Sequence, residues 1–227
     1  ASLAQFRGSL PSVFGSGTNF ASASHLVARS NPLNIFSPVV NIMGFEVVRG
    51  FARTPSDPSL QKIIGVRDWA ALPAVPASAG TSSMVFPHVF RLTDWVSLIG
   101  LVNLSNSPQT VNLTYSATAS TRSLSIPAMG SIQMPAIDLF GPGVDSGFVK
   151  VTGTASLGGY AASSFGSSFA VSPAQASALR DFSFPKVDES AGAFTGIVLQ
   201  NDGSTASTAE MYLISDQGVT FGRHTEL

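Results

Sequence analysis

Three histidines, His25, His88 and His224, are the side chains of this sequence that titrate near neutral pH, and there is no cysteine beside them. Zero cysteines exclude disulfides, thiolate metal sites and a cysteine nucleophile. No two histidines stand at the short spacing of a paired metal ligand. His88 follows Phe86-Pro87 at the head of a strand-like run, and Lys186 takes its place in a second copy of that motif, so it reads as structural or solvent-facing. A serine triad would want a Gly-x-Ser-x-Gly elbow; none is present, and serine in turns needs no catalytic explanation.

The carboxylates Asp94, Asp138, Asp145, Asp188, Glu189, Asp202 and Asp216 are scattered. "VDES" (187–190) and "NDG" (201–203) offer oxygens of the kind Ca²⁺ accepts, but neither approaches an EF-hand loop. Asp138 and Asp145 flank the glycine-rich "GPGVDSG" (141–147), which has neither the lysine nor the following helix of a phosphate loop. Nothing sets these two acids across a cleft, as glycoside hydrolysis requires. The expectation is no enzyme, no cofactor and no metal. Aromatic rings leave one binding chemistry open: Trp69 and Trp95, with Tyr115, Tyr160 and Tyr212, are candidates for stacking on sugars. Against that, Tyr115 lies on an alternating strand face and Trp95 opens a strand, positions typical of core and core rim. "NLS" (103–105) and "NLT" (112–114) match the glycosylation sequon, a weak signal here.

Composition narrows the partners. Charged residues make up 11% of the 227 and net charge is −1, with three lysines, Lys62, Lys150 and Lys186, so no field draws nucleic acid or an anionic membrane. Apolar residues reach 44%, a balance that tolerates close association between copies. The longest apolar stretch, around Val96–Leu104, is too short to span a bilayer. The sequence opens at Ala1 without a visible signal peptide, as a processed or trimmed product does.

The elements that must position these residues are strands. "SLIGLVNL" (97–104), "TVNLTYSA" (110–117), "RSLSIPA" (122–128), "GFVKVTG" (147–153), "TGIVLQN" (195–201) and "AEMYLIS" (209–215) are short and rich in β-formers. Turn sequences such as "NLSNSPQ" (103–109) and "DQG" (216–218) separate them. Helical turns are expected at "LPSVF" (10–14) and "PAIDLF" (135–140), each with proline near its start.

The pattern is doubled. Phe184-Pro185, Val187, Ile197, Leu199 and Asn201 repeat Phe86-Pro87, Val89, Ile99, Leu101 and Asn103 at a spacing of 98 positions, without a gap out to Thr110 and Thr208. More loosely, residues 1–17 parallel 130–143, "HLVARS" (25–30) parallels "FVKVTG" (148–153), and Gly44-Phe45 parallels Gly159-Tyr160. The fold expected is all-β, two tandem Ig-like antiparallel β-sandwich repeats. Cut at the chain ends, the repeats are 1–129 and 130–227, in a permuted phase. In the alternative phase 85–181 is one complete domain, flanked by half-domains 1–80 and 182–227 whose open edges need partners. A head-to-tail array would satisfy them, with 182–227 of one copy meeting 1–80 of the next.

The run "VFPHV", "IGLVNLSNSPQTVNLTY", "SLSIPAMGSIQM", "GFVKVTG" resembles tandem β-sandwich repeats of exported bacterial surface proteins. Those repeats open on Phe-Pro-His-Val and continue with a Leu-Val-Asn-Pro-type turn; here Leu104 and Asp202 follow the asparagines in place of proline. The resemblance implies a secreted or cell-surface location in a bacterium and supplies no active site. Together these readings lead to a non-enzymatic extracellular structural or interaction module of a stalk, surface layer, filament or adhesin. Its partners would be other protein units, by self-association or between neighbouring repeats. The alternative is a carbohydrate-binding β-sandwich module, with a polysaccharide partner met at Trp69 and Trp95.

Overall fold

The computed structural model describes residues 45–49, 69–73, 80–92, 95–165, 168–177, 179, 181, 183–184, 197–201 and 205–226. In chain order they form β1 (Phe45–Arg49), β2 (Trp69–Pro73), β3 (Thr81–Leu92), β4 (Trp95–Asn103), β5 (Gln109–Tyr115), β6 (Ser120–Ile126) and β7 (Ser131–Pro135). Then come a short helix α1 (Ala136–Phe140), β8 (Ser146–Phe165), β9 (Ser168–Pro173), β10 (Ala209–Ile214) and β11 (Thr220–Glu226). Among the described residues every strand pairing is antiparallel, and the fold is all-β.

β3 to β9 make one seven-stranded sheet that bends back on itself, nearly closing like a barrel. The 20-residue β8 causes the bend. Its first part pairs with β3 and β5 (Phe86↔Val149, Leu113↔Val151), and its second part pairs with β4 and β9 (Ile99↔Ala161, Tyr160↔Pro173). At the opposite corner β3 passes into β4 through Leu92↔Trp95. Between the two parts of β8, the N–H groups of Thr154 and Ala155 donate to Oε1 of Gln109, at 3.2 and 3.1 Å. A bend would otherwise leave those donors without ladder partners, at the cost of an unmet buried hydrogen bond.

Binary pattern decides which faces turn inward. In β5, Gln109, Val111, Leu113 and Tyr115 are buried while Thr110 and Asn112 face solvent. With Phe86, Val89, Ile99, Leu101, Ile126, Leu139, Val149, Val151 and Leu157 they form one continuous core. Every buried hydrophobic side chain among the described residues falls between Met84 and Ala162. β3 runs through Pro87, and its ladder to β8 shifts register between Phe86 and Val89, where a residue without N–H costs no pairing. Helix α1 follows Pro135 and ends at Gly141, whose φ of +82° suits glycine and whose N–H closes on the Ile137 carbonyl at 2.8 Å.

Gly100 stands opposite Tyr160 across the β4–β8 ladder, and a Cβ there would fall 2.4 Å from the ring. Gly100→Ala must therefore displace Tyr160 and its 2.6 Å hydrogen bond from Gln133. The expected loss is about 1–3 kcal/mol of unfolding free energy, measurable by urea titration.

The predicted helix at 10–14 lies outside the described residues. The predicted strand 195–201 is described from Ile197 to Asn201, and that stretch carries no ladder, whereas its sequence counterpart in β4 is held between β7 and β8.

Candidate functional site

The polar centre of the sheet is Asn103, the last residue of β4 and fully buried. Its Nδ2 donates to the carbonyls of Ser107 (2.8 Å), Ile126 (3.3 Å) and Pro127 (2.9 Å). Its Oδ1 accepts from the Ser105 N–H (3.0 Å), Ser105 Oγ (2.8 Å) and Gln109 Nε2 (2.8 Å). One amide thus ties the β4–β5 loop to the β6–β7 turn and, through Gln109, to the bend of β8. Such a fully satisfied network fixes geometry and offers no reacting atom. Asn201 Nδ2 makes the matching bond to the Thr205 carbonyl four residues on, at 2.9 Å, in an exposed setting.

The candidate chemical residues are dispersed. His88, on the solvent side of β3, stacks on Phe90 with ring centroids 4.4 Å apart. His224 lies on β11, opposite Met211. Asp138 sits in the first turn of α1, and Asp145 is exposed just before β8. His25, Asp94, Asp188, Glu189 and Asp202 lie outside the described residues. Among the described residues no three His, Cys, Asp or Glu side chains come together as a metal site would require. Trp69 and Trp95 each begin a strand, β2 and β4, paired with Arg49 and with Leu92 and Phe165 respectively. Their side chains lie outside the described residues. Tyr115 is buried and stacks on Phe140 at 5.3 Å, and Tyr160 covers Gly100 within the sheet.

Although it faces solvent, the His88 ring is partly desolvated where it lies on Phe90, and this pushes the imidazole below its usual 6.5. The folded value lies under the unfolded one, so the unfolded chain takes up the proton first. Stability should fall as pH drops from 6.5 through the folded value, and stay level above. Histidine-detected NMR should give a midpoint below 6.5 for this ring, and His88→Gln should flatten that part of the pH–stability curve.

The surface least expected of a finished fold is the β10–β11 hairpin. Tyr212, Leu213, Ile214 and Val219 are large apolar residues left exposed there. The hairpin also carries a polar cluster: the Tyr212 hydroxyl donates to Glu210 at 2.7 Å, and Arg223 pairs with the same carboxylate. The Tyr212 hydrogen bond, then the Arg223 guanidinium, hold the Glu210 carboxyl below its usual range.

The two hairpins outside the main sheet have the registers of hairpins within it. Ala209↔Glu226 and Tyr212↔Arg223 match Gln109↔Ile126 and Asn112↔Ser123 at a shift of 100 positions. Phe45↔Pro73 and Arg49↔Trp69 match Tyr160↔Pro173 and Ser164↔Phe169, with the alignment of Phe45 on Tyr160 kept. The spacing of 98 positions read from the sequence therefore becomes 100 in the paired strands, with the extra two residues falling between Thr205 and Ala209.

No family model matches the chain, and no curated protein does. A solved structure, the crystal structure of Thermotoga maritima 1070, is similar over 42% of this chain and 93% of that one, at 8% identity and a TM-score of 0.36.

Proposed function

We propose that the protein is a non-enzymatic module of an extracellular bacterial surface assembly, such as a stalk, surface layer, filament or adhesin, built from two Ig-like sandwich repeats. The observation that carries the reading is the recurrence of strand-pair registers outside the seven-stranded sheet. A chain that spends its sequence on repeated, weakly charged sheet units is suited to presenting surface and spacing, which is a geometric task.

The ladders support one of the two phases of the repeat. Four of them, β3–β8, β4–β7, β4–β8 and β5–β8, join strands on opposite sides of the 129/130 division, so the reading adopts the phase in which 85–181 is the complete domain. The 1–80 and 182–227 segments are then parts of the second unit.

A panel of chromogenic ester, peptide and glycoside substrates, run with a polysaccharide pull-down and a glycan array, tests the function. The module reading expects neither turnover nor retention. Glycan retention abolished by Trp69→Ala or Trp95→Ala would replace it with the carbohydrate-binding module; turnover would replace it with an enzyme.

A further inference from the structure

We infer that β9 of the main sheet and its own counterpart, β2, form a self-complementary junction about a pseudo-two-fold axis. The junction pairs the two repeats within one chain and closes this edge to a third. The inference rests on the doubled-unit reading above.

Two hairpins carry it. β1–β2 and β8–β9 are copies of one element by sequence as well as by register. "WAALPA" (69–74) and "FAVSPA" (169–174) share an aromatic residue, an alanine next to it, and Pro-Ala at the same spacing. In each hairpin that proline ends one strand and pairs with an aromatic residue preceded by glycine: Pro73 with Phe45 after Gly44, Pro173 with Tyr160 after Gly159. β2 is therefore to its own unit what β9 is to the main sheet.

These same two strands are the ones that meet. β2 lies beside β9, with Cα atoms of the two strands within 8 Å of each other. Each is paired to its own hairpin partner, β2 to β1 and β9 to β8. The order β8, β9, β2, β1 thus reads the same from either end once each strand is replaced by its counterpart.

Symmetry decides what such an order can do. A head-to-tail contact joins two different surfaces and leaves one of each kind over, so it can be repeated without end. A contact of one surface with its own copy is isologous: it has a two-fold axis and is used up when it forms. The meeting of β2 with β9 belongs to the second kind. It also removes two strands at once from adventitious edge-to-edge pairing.

The covalent chain favours closure within one copy. Residues 74–80 join the end of β2 to the start of β3, a tether that reaches at most about 25–30 Å. Gln175, just past β9, bridges Val85 near the start of β3, so both strands run toward the same part of the main sheet. Partners tethered that closely meet at an effective concentration on the order of millimolar, far above that of free copies in a dilute solution.

The full chain has no native cysteine, so cysteine pairs report the junction without background. Each of Ala70→Cys, Ala71→Cys and Leu72→Cys is combined in turn with Ala170→Cys, Val171→Cys or Ser172→Cys, and the double variants are treated with a short bismaleimide. Linked monomer is expected, with yields that mirror across the junction. Ala70 with Ser172 should link as Leu72 does with Ala170, and Ala70 with Val171 as Ala71 does with Ala170. Links formed without that mirror relation would overturn the two-fold axis, and no link in any pair would overturn the junction. Linked dimer that grows with concentration would overturn closure within one chain. Hydrogen exchange gives an independent reading across the two hairpins. Val171→Asp on β9 should cost the peptide covering 69–73 about tenfold of its protection while that covering 109–115 keeps its own. Unchanged protection at 69–73 would contradict the junction. Each of these failures leaves the substrate and glycan panel untouched, so it is distinguishable from failure of the proposed function.

Discussion

Asn103→Ala should destabilise the protein by about 3–5 kcal/mol, more than most single substitutions. The residue is fully buried, and its one amide serves six partners on three connections of the sheet. Truncation leaves the Ser107, Ile126 and Pro127 carbonyls without that donor, and Ser105 and Gln109 without that acceptor. Each buried group so orphaned costs about 1–3 kcal/mol, discounted for the partly exposed Ser107 side of the loop. Gln109 is the other half of the device, since its Oε1 holds the two N–H groups at the bend of β8. A double-mutant cycle of Asn103→Ala with Gln109→Ala should therefore be non-additive by about 1 kcal/mol or more. Denaturant unfolding of the four proteins measures this, and an additive cycle would contradict a single shared network.

Phe86→Ala should cost about 3–5 kcal/mol, by loss of a fully buried ring and the cavity left behind. Phe86 lies on β3 against the first part of β8, opposite Val149, and Gly159 from the second part of β8 approaches so closely that a Cβ would meet the ring tip at 3.0 Å. The site has little room to collapse, because the glycine is itself part of the β4–β8 ladder. A midpoint shift in thermal unfolding, with far-UV circular dichroism unchanged at low temperature, is the expected signature. A shift no larger than that of an exposed substitution would mean that the core does not centre on this ring.

The strand class was legible because period-2 alternation is a local signal. Val111, Leu113 and Tyr115 against Thr110 and Asn112 declared the inward face of β5 correctly, and Pro135 marked the start of α1. The extent of β8 was not legible beyond Gly153, because the stretch from Thr154 to Ala162, small apart from Leu157 and Tyr160, has no clear alternation of its own; its pairing with β4 and β9 makes it a strand. β3 was legible as a strand-like run beginning at Phe86-Pro87, but not its start at Thr81, because Pro87 argues against a strand interior unless a register shift absorbs it. The role of Asn103 was visible only as a recurring letter. Its six hydrogen bonds depend on residues up to 24 positions away, which no local pattern contains. Trp69 and Trp95, singled out for their chemistry, are placed by the structure only as strand starts.

The central claim is that residues 80–177 hold a complete core, organised by Asn103, that does not need the flanking hairpins. Excising that segment and following its thermal unfolding by circular dichroism tests this most directly. The account predicts a strand-rich spectrum and one cooperative transition that Asn103→Ala lowers steeply. A spectrum of unordered chain, or a gradual loss of signal without a transition, would contradict it.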